Sequence, residues 1–162
     1  MDYQRRENRK LNKIKCTSTN ARLGVRINNG KKEIFDPIRC RFVLCTPEEA
    51  VRQTYIRYLI DVLHVPSVAI SVEKKITYNN LTRRYDIVVF SKEKCLLIVE
   101  CKSPTTKLSE ITLQQISVYN SHLHAKYIIL FNGKEELIYK KINEQYVFQN
   151  QLPTYEEMKQ AE

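Results

Sequence analysis

Asp86, Glu100 and Lys102 are three residues whose types and spacing can do chemistry together. Glu100 and Lys102 close the apolar run Leu96-Leu97-Ile98-Val99. They stand two apart, so on a strand both side chains leave the same face. Asp86 interrupts a second strand-like run, Arg84 to Phe90, in the same way. A carboxylate or ammonium set straight after apolar strand residues is costly if buried without a partner or a task. Two carboxylates converging on one face can hold Mg²⁺, a hard cation that takes oxygen ligands and keeps several waters. A lysine beside them can orient or help deprotonate a water, or offset charge on a phosphorane-like transition state. That is the chemistry of phosphodiester hydrolysis. By spacing alone, the plainer alternative is a salt bridge between Glu100 and Lys102 at a strand end.

Strand parity sharpens the requirement. In a hairpin, residues directly opposite share a face. A four-residue loop would set Asp86 opposite Val99 and separate the carboxylates. Asp86 opposite Glu100 demands an odd loop, Ser91 to Cys95, or a bulge.

The elements that must position these residues follow from turn and cap signals. Thr46-Pro47-Glu48-Glu49 is a helix start, with Thr46 as cap, Pro47 at the first helical position and Glu49 completing a capping box. Val51, Tyr55, Leu59 and Val62 recur at helical spacing, which predicts a helix to about Leu63. Glu49 and Gln53 share a face of it. Strands are predicted over Val68–Thr77, Arg83–Phe90 and Cys95–Lys102, then a helix over about Leu108–Ser121. Gln115 and Tyr119 share a face of that second helix, where an amide can bond a phosphate or base edge and a ring can stack. An amphipathic boundary pair is the alternative for them. A further strand, Lys126–Phe131, is reached through that helix and can join the sheet by a crossover. Two short runs, Glu136–Lys140 and Gln145–Phe148, suggest a terminal hairpin.

Composition bounds the partners. The 162 residues carry 27 Lys or Arg against 18 Asp or Glu, a formal charge of +9. Such a balance favours an anionic partner, with DNA the first candidate, although charge can also serve solubility alone. Residues 1–32 form a basic arm with one short strand, Arg22–Ile27, and the turn Asn29-Gly30; residues 33–150 form the folded domain; 151–162 read as a polar tail. Five cysteines without C-x-x-C spacing argue against zinc and a disulfide framework. Three histidines have no ligand-like arrangement. No P-loop is found, and no signal peptide or membrane span is expected, so a cytoplasmic location is.

The order of these features resembles the PD-(D/E)XK nuclease superfamily. More narrowly, it resembles the N-terminal nuclease domain of type I restriction enzyme R subunits, in a short stand-alone form. The resemblance runs through Ile34-Phe35-Asp36-Pro37-Ile38-Arg39, Thr46 to Gln53, Arg84 to Val89, Val99-Glu100-Cys101-Lys102-Ser103-Pro104, Gln115 to Asn120, and Asn132-Gly133. It covers about residues 33 to 140. It implies an α/β fold with an αβββαβ core, a mixed central sheet flanked by helices. It implies Asp86 and Glu100 as ligands of Mg²⁺, with Mn²⁺ as the substitute, the Cys101 carbonyl as a further ligand and Lys102 as catalytic lysine. Gln115, Tyr119 and Arg84 would approach nucleic acid. Either Glu48 or Glu49 supplies the helix acid, and Glu49 is preferred because Gln53 extends its face. Glu73 can order Arg84 or approach the metal, or simply form an edge salt bridge. Tyr85 stands where the superfamily name has proline. The function implied is a metal-dependent DNA nuclease of restriction, defence or repair. Type I R subunits couple this domain to a motor that this sequence lacks. A nucleic-acid-binding module, or an accessory subunit of a restriction or repair assembly, is therefore the alternative.

Overall fold

The computed structural model describes residues 24–78, 81–109, 114, 117, 120 and 123–160. Three short strands come first: β1 (Val25–Asn28), β2 (Lys31–Asp36) and β3 (Arg41–Leu44), antiparallel in that order. Asn29 and Gly30 turn β1 into β2 with φ of 47° and 73°. Two consecutive left-handed residues match the twist of a tight hairpin, and Asn-Gly reaches them at little cost.

Helix α1 (Pro47–Asp61) follows. Its start is the expected one: the Glu49 amide donates to the Thr46 hydroxyl over 3.1 Å. The reciprocal half of the capping box is missing, because the Glu49 carboxylate turns to Arg39, Arg52 and Gln53 instead.

The main sheet has six strands in the order β4 (Ile70–Tyr78), β5 (Leu81–Ser91), β6 (Lys94–Cys101), β7 (Tyr127–Phe131), β8 (Glu136–Ile142) and β9 (Gln145–Gln149). All neighbours are antiparallel except β6 and β7, which run parallel. A parallel pair needs a crossover. The connecting segment contains Gln114, Ser117, Asn120 and Leu123 in helical conformation, whereas Leu108 and Ser109 precede any helix. The fold is thus mixed α/β with a mixed sheet.

Both faces of β6 and β7 are covered, which is why these strands read as unbroken apolar runs. On one face α1 sets Val51, Tyr55, Ile56 and Leu59 against Ile87, Leu97, Val99 and Ile129. On the other, Leu108 and Ala125 pack with Val88, Ile98, Ile128 and Leu130. Gly133 turns β7 toward β8 at φ 86°, and a Cβ there would meet Val51 Cγ2 at 3.2 Å. Only glycine satisfies both the torsion and that close approach. No helix among the described residues is long and apolar enough to cross a membrane.

Three segments depart from the sequence expectations. Strands β2 and β3 were not anticipated, and the arm boundary at residue 32 falls inside β2. The supposed polar tail carries a short helix, α2 (Tyr155–Gln160), with Leu152, Tyr155 and Met158 buried in the core on the α1 side. The Tyr155 hydroxyl also donates to the Phe90 carbonyl at 3.0 Å. A polar composition hides this because only two residues of a six-residue helix need face inward.

Met158 is 0% exposed. Met158→Ala should therefore lower the unfolding free energy by about 2–5 kcal/mol in urea titrations. Glu156→Ala, which removes only an exposed pair with Lys159, should cost no more than about 1 kcal/mol. Equal effects would mean that α2 is not part of the folded unit.

Candidate functional site

The β5–β6 ladder pairs Ser91 with Lys94 and Phe90 with Cys95, then slips between Val89 and Phe90. Beyond the slip Val89 meets Leu97, Val88 meets Ile98 and Ile87 meets Val99. Leu96 is the extra residue. Continuing that register sets Asp86 opposite Glu100, so a bulge supplies the parity that an odd loop would otherwise have provided.

The ladder then stops, although both strands continue. The backbone N–H of Cys101 donates 2.8 Å to Asp86 Oδ2. A side-chain carboxylate has taken the place of a backbone acceptor. This fastens Asp86 to the strand that carries Glu100 and Lys102. On the other side Lys102 Nζ donates 2.8 Å to Glu100 Oε1, with the lysine side chain 31% exposed. Burial lowers the Lys102 pKa, but the Glu100 hydrogen bond and charge, followed by Asp86 and Glu48, raise it more. Lys102 is therefore a charged donor here.

A second group of charges meets Asp86 from α1 and the β2–β3 turn. Arg52 Nη2 donates to Asp86 Oδ1 at 2.7 Å, and its Nη1 donates to Glu49 Oε2. Arg39 reaches three carboxylates: Asp36 Oδ2 at 2.6 Å, Glu73 Oε2 at 2.6 Å and Glu49 Oε1 at 2.7 Å. Gln53 Nε2 bridges Asp36 at 2.8 Å and Glu49 at 3.0 Å. Asp36 also accepts the backbone amides of Ile38 and Arg39, both at 2.8 Å. Burial alone would raise its pKa; the Arg39 amide and guanidinium and the Gln53 amide bring it below the usual aspartate value. Glu73 sits in the left-handed region at φ 50°, and Arg84 lies 3.3 Å from its Oε1.

The sequence candidates fall into place unevenly. Asp86 and Cys101 are joined, and Glu100 and Lys102 are joined, where the β5–β6 pairing ends. Glu49 is buried and Glu48 exposed, so Glu49 is the acid turned inward. Arg84 is 57% exposed and near Glu73. Gln115 and Tyr119 lie outside the described residues. The Cys101 thiol is pushed well above its usual pKa, first by burial and then by the Asp86 charge, which keeps it neutral. Asp36, Arg39 and Arg52 lie in segments that the sequence reading singled out, but it gave them no role. Their signal was spacing: Asp36 and Arg39, like Glu49 and Arg52, are three apart and can meet within one turn.

The donor set suits a hard cation in kind, since Asp86 and Glu100 offer carboxylates and Mg²⁺ needs only one or two when it keeps its waters. Among the described residues no three His, Cys, Asp or Glu side chains close on a single point that could hold an ion. The buried Gln53 Oε1 and Arg52 Nε have no hydrogen-bond partner. Unsatisfied atoms of this kind mark a cluster whose polar groups are not all answered.

Residues 47–153 match the family model of the type I restriction enzyme R protein N terminus. No curated protein matches the chain. Among solved structures, a fragment described as an HsdR subunit of a type I restriction enzyme from Vibrio vulnificus YJ016 is similar, at 16% identity and a TM-score of 0.40. The match covers 57% of this chain and 18% of that one.

Acid should weaken the Asp36 node. A carboxyl whose folded pKa is depressed contributes stability above its unfolded value, here 3.8, and loses it as pH falls toward the folded value. Asp36→Asn should cost about 3–5 kcal/mol at neutral pH, because it leaves Arg39 short of a buried partner. That gap should close as urea titrations move below pH 3.8. A gap independent of pH would remove the charge from the explanation.

Proposed function

The chain belongs to the family of the type I restriction enzyme R protein N terminus, and on that premise we propose that it is a metal-dependent deoxyribonuclease with a PD-(D/E)XK site at Asp86, Glu100 and Lys102. The observation that carries the reading is the Cys101 N–H bond to Asp86. It holds a β5 carboxylate beside the β6 residues Glu100 and Lys102, where the two strands stop pairing.

Asp86 and Glu100 would hold Mg²⁺, with the Cys101 carbonyl and Glu49 as further oxygens. The cation would supply Lewis-acid polarisation of the phosphate and a water of lowered pKa. Lys102, charged and hydrogen-bonded to Glu100, would donate toward a phosphate oxygen and offset charge that grows in the transition state. Arg84, solvent-exposed two residues from Asp86, would contact the DNA backbone, and Gln115 and Tyr119 would serve the same partner as the resemblance implies. The +9 charge, much of it on residues 1–32, would draw DNA to the protein. The chain would act in the cytoplasm, within a restriction, defence or repair assembly.

A second reading has its own observation. Both Asp86 oxygens are already occupied, one by Arg52 and one by the Cys101 N–H. A domain that binds DNA without cutting it, as an accessory subunit, has use for such a closed arrangement.

Two experiments separate the readings. Purified protein is incubated with linear, nicked, branched and single-stranded DNA in Mg²⁺, Mn²⁺ or EDTA. Cleavage should need the cation and fall about 100-fold or more in Lys102→Ala. DNA affinity of that variant should persist, since the lysine serves the transition state more than the ground state. Joint loss of binding and cleavage in a folded Lys102→Ala would make it a phosphate anchor instead. Saturating Mg²⁺ or Mn²⁺ should raise the thermal midpoint, and Asp86→Asn should abolish the rise. An unchanged midpoint favours the binding module. Deleting residues 1–15 should flatten the salt dependence of DNA binding by roughly 0.9 per lost phosphate contact.

A further inference from the structure

Arg52 occupies an unusual place for a buried arginine. It is 5% exposed and comes from the middle of α1, on the side turned to the sheet. Its two terminal nitrogens are divided between Glu49 and Asp86, carboxylates from different elements. Glu73 Oε1 stands 3.8 Å from Nη1. Burial lowers the Arg52 pKa, but the Asp86 charge and hydrogen bond, then Glu49, raise it more. The guanidinium is thus a fixed positive charge at the point where helix acid and strand acid approach each other.

Its bonding is incomplete. Nε is buried without an acceptor. Beside it Gln53, 0% exposed, holds Asp36 and Glu49 through Nε2 while its Oε1 has no donor. A guanidinium placed only to satisfy a structural network would be expected to use Nε, because unmet buried donors cost about 1–3 kcal/mol. Here the arginine addresses the two carboxylates and little else.

We propose that the Arg52 guanidinium is the resident counter-cation of this site, and that a divalent ion enters by displacing Nη2 from Asp86. The inference rests on the divalent-cation reading given above. One cationic partner for Asp86 Oδ1 is exchanged for another, so that oxygen faces a positive charge in both states. A freed Arg52 would then present its donors beside the ion, where a phosphate oxygen has use for them. Arg52 acts here as a positioning residue, through Asp86 and Glu49.

Arg52→Met tests this, since methionine keeps an unbranched stem and removes the charge. Mn²⁺ and Mg²⁺ affinity is read by isothermal titration, and stability by thermal melting with and without the ion. Without its counter-cation the variant should melt lower in EDTA. It should bind the ion at least about tenfold more tightly, because a positive charge next to a dication has been removed. Its metal-induced rise in midpoint should exceed that of the wild type. Equal or weaker metal affinity would overturn the inference and make Arg52 a plain structural ion pair.

Should Arg52→Met fail to fold, the wild type decides. The side-chain ¹⁵N–¹H signals of Arg52, assigned with Arg52→Lys, should move on saturation with diamagnetic Mg²⁺. Signals unmoved at saturation overturn the proposal. If neither wild type nor variant binds a cation, the metal reading itself fails. If the wild type binds and the variant gains nothing, only the exchange fails.

Discussion

Asp36, Glu49, Glu73 and Asp86 bring four carboxylates to two guanidiniums, those of Arg39 and Arg52. Removing one partner from such a buried group costs about 3–5 kcal/mol, because the other is left charged and dry. The elements that carry these residues therefore hold one another in place. The β2–β3 turn must deliver Arg39 to α1. Helix α1 must roll until Glu49, Arg52 and Gln53 face the sheet. Strand β4 must present Glu73, and it does so with a left-handed backbone that costs roughly 1–2 kcal/mol for a residue with a Cβ. The Arg39 bond at 2.6 Å is what the strand obtains in return. Apolar packing sets how the helix lies on the sheet; the ion pairs set its rotation and the position of the small sheet.

The second constraint is backbone register. Strand side chains alternate, so a slip of one residue exchanges the two faces. Without Leu96 as an extra residue, the Ser91–Lys94 and Phe90–Cys95 pairs would force Val99 opposite Asp86. The bulge corrects the parity at the turn end, and the correction is read out at the other end as Asp86 beside Glu100. There the ladder opens and the Cys101 N–H, released from backbone pairing, goes to Asp86. A buried amide must find an acceptor. The site is made from the same accounting that ends the hairpin.

Both constraints explain what was legible in the sequence. Helix α1 could be read because Thr46, Pro47 and the spacing of Val51, Tyr55 and Leu59 are local signals. Strands β5, β6 and β7 could be read because their apolar runs are long. The need for a bulge followed from parity. Strands β2 and β3 escaped because their residues alternate weakly and β3 has only four residues. Arg39 and Arg52 escaped because a basic residue in a protein of charge +9 looks like a solvated surface until its partners are known. Asp36 and Arg39 also lie outside the residues, 47–153, that match the family. The matched segment holds Glu49, Arg52 and Asp86, yet Arg39, which pairs with Glu49, precedes it.

That local charge has a consequence for approach of a polyanion. Around Asp86, five carboxylates (Asp36, Glu49, Glu73, Asp86 and Glu100) meet Arg39, Arg52, Arg84 and Lys102. These groups carry one negative charge in excess, inside a strongly basic chain. The excess of positive charge would favour a phosphate backbone, whereas the charges around Asp86 would not. A phosphate brought there by long-range steering would lack a local counter-charge unless a cation joined the carboxylates or an arginine turned outward from them. Arg52 is the residue that connects these two outcomes. While it holds Asp86 and Glu49 its charge is spent on them; if a dication took Asp86, the guanidinium would be released to a phosphate oxygen. Affinity for DNA would then be set largely by the distant basic surface, and engagement of the backbone at the sheet end by whether that exchange has occurred.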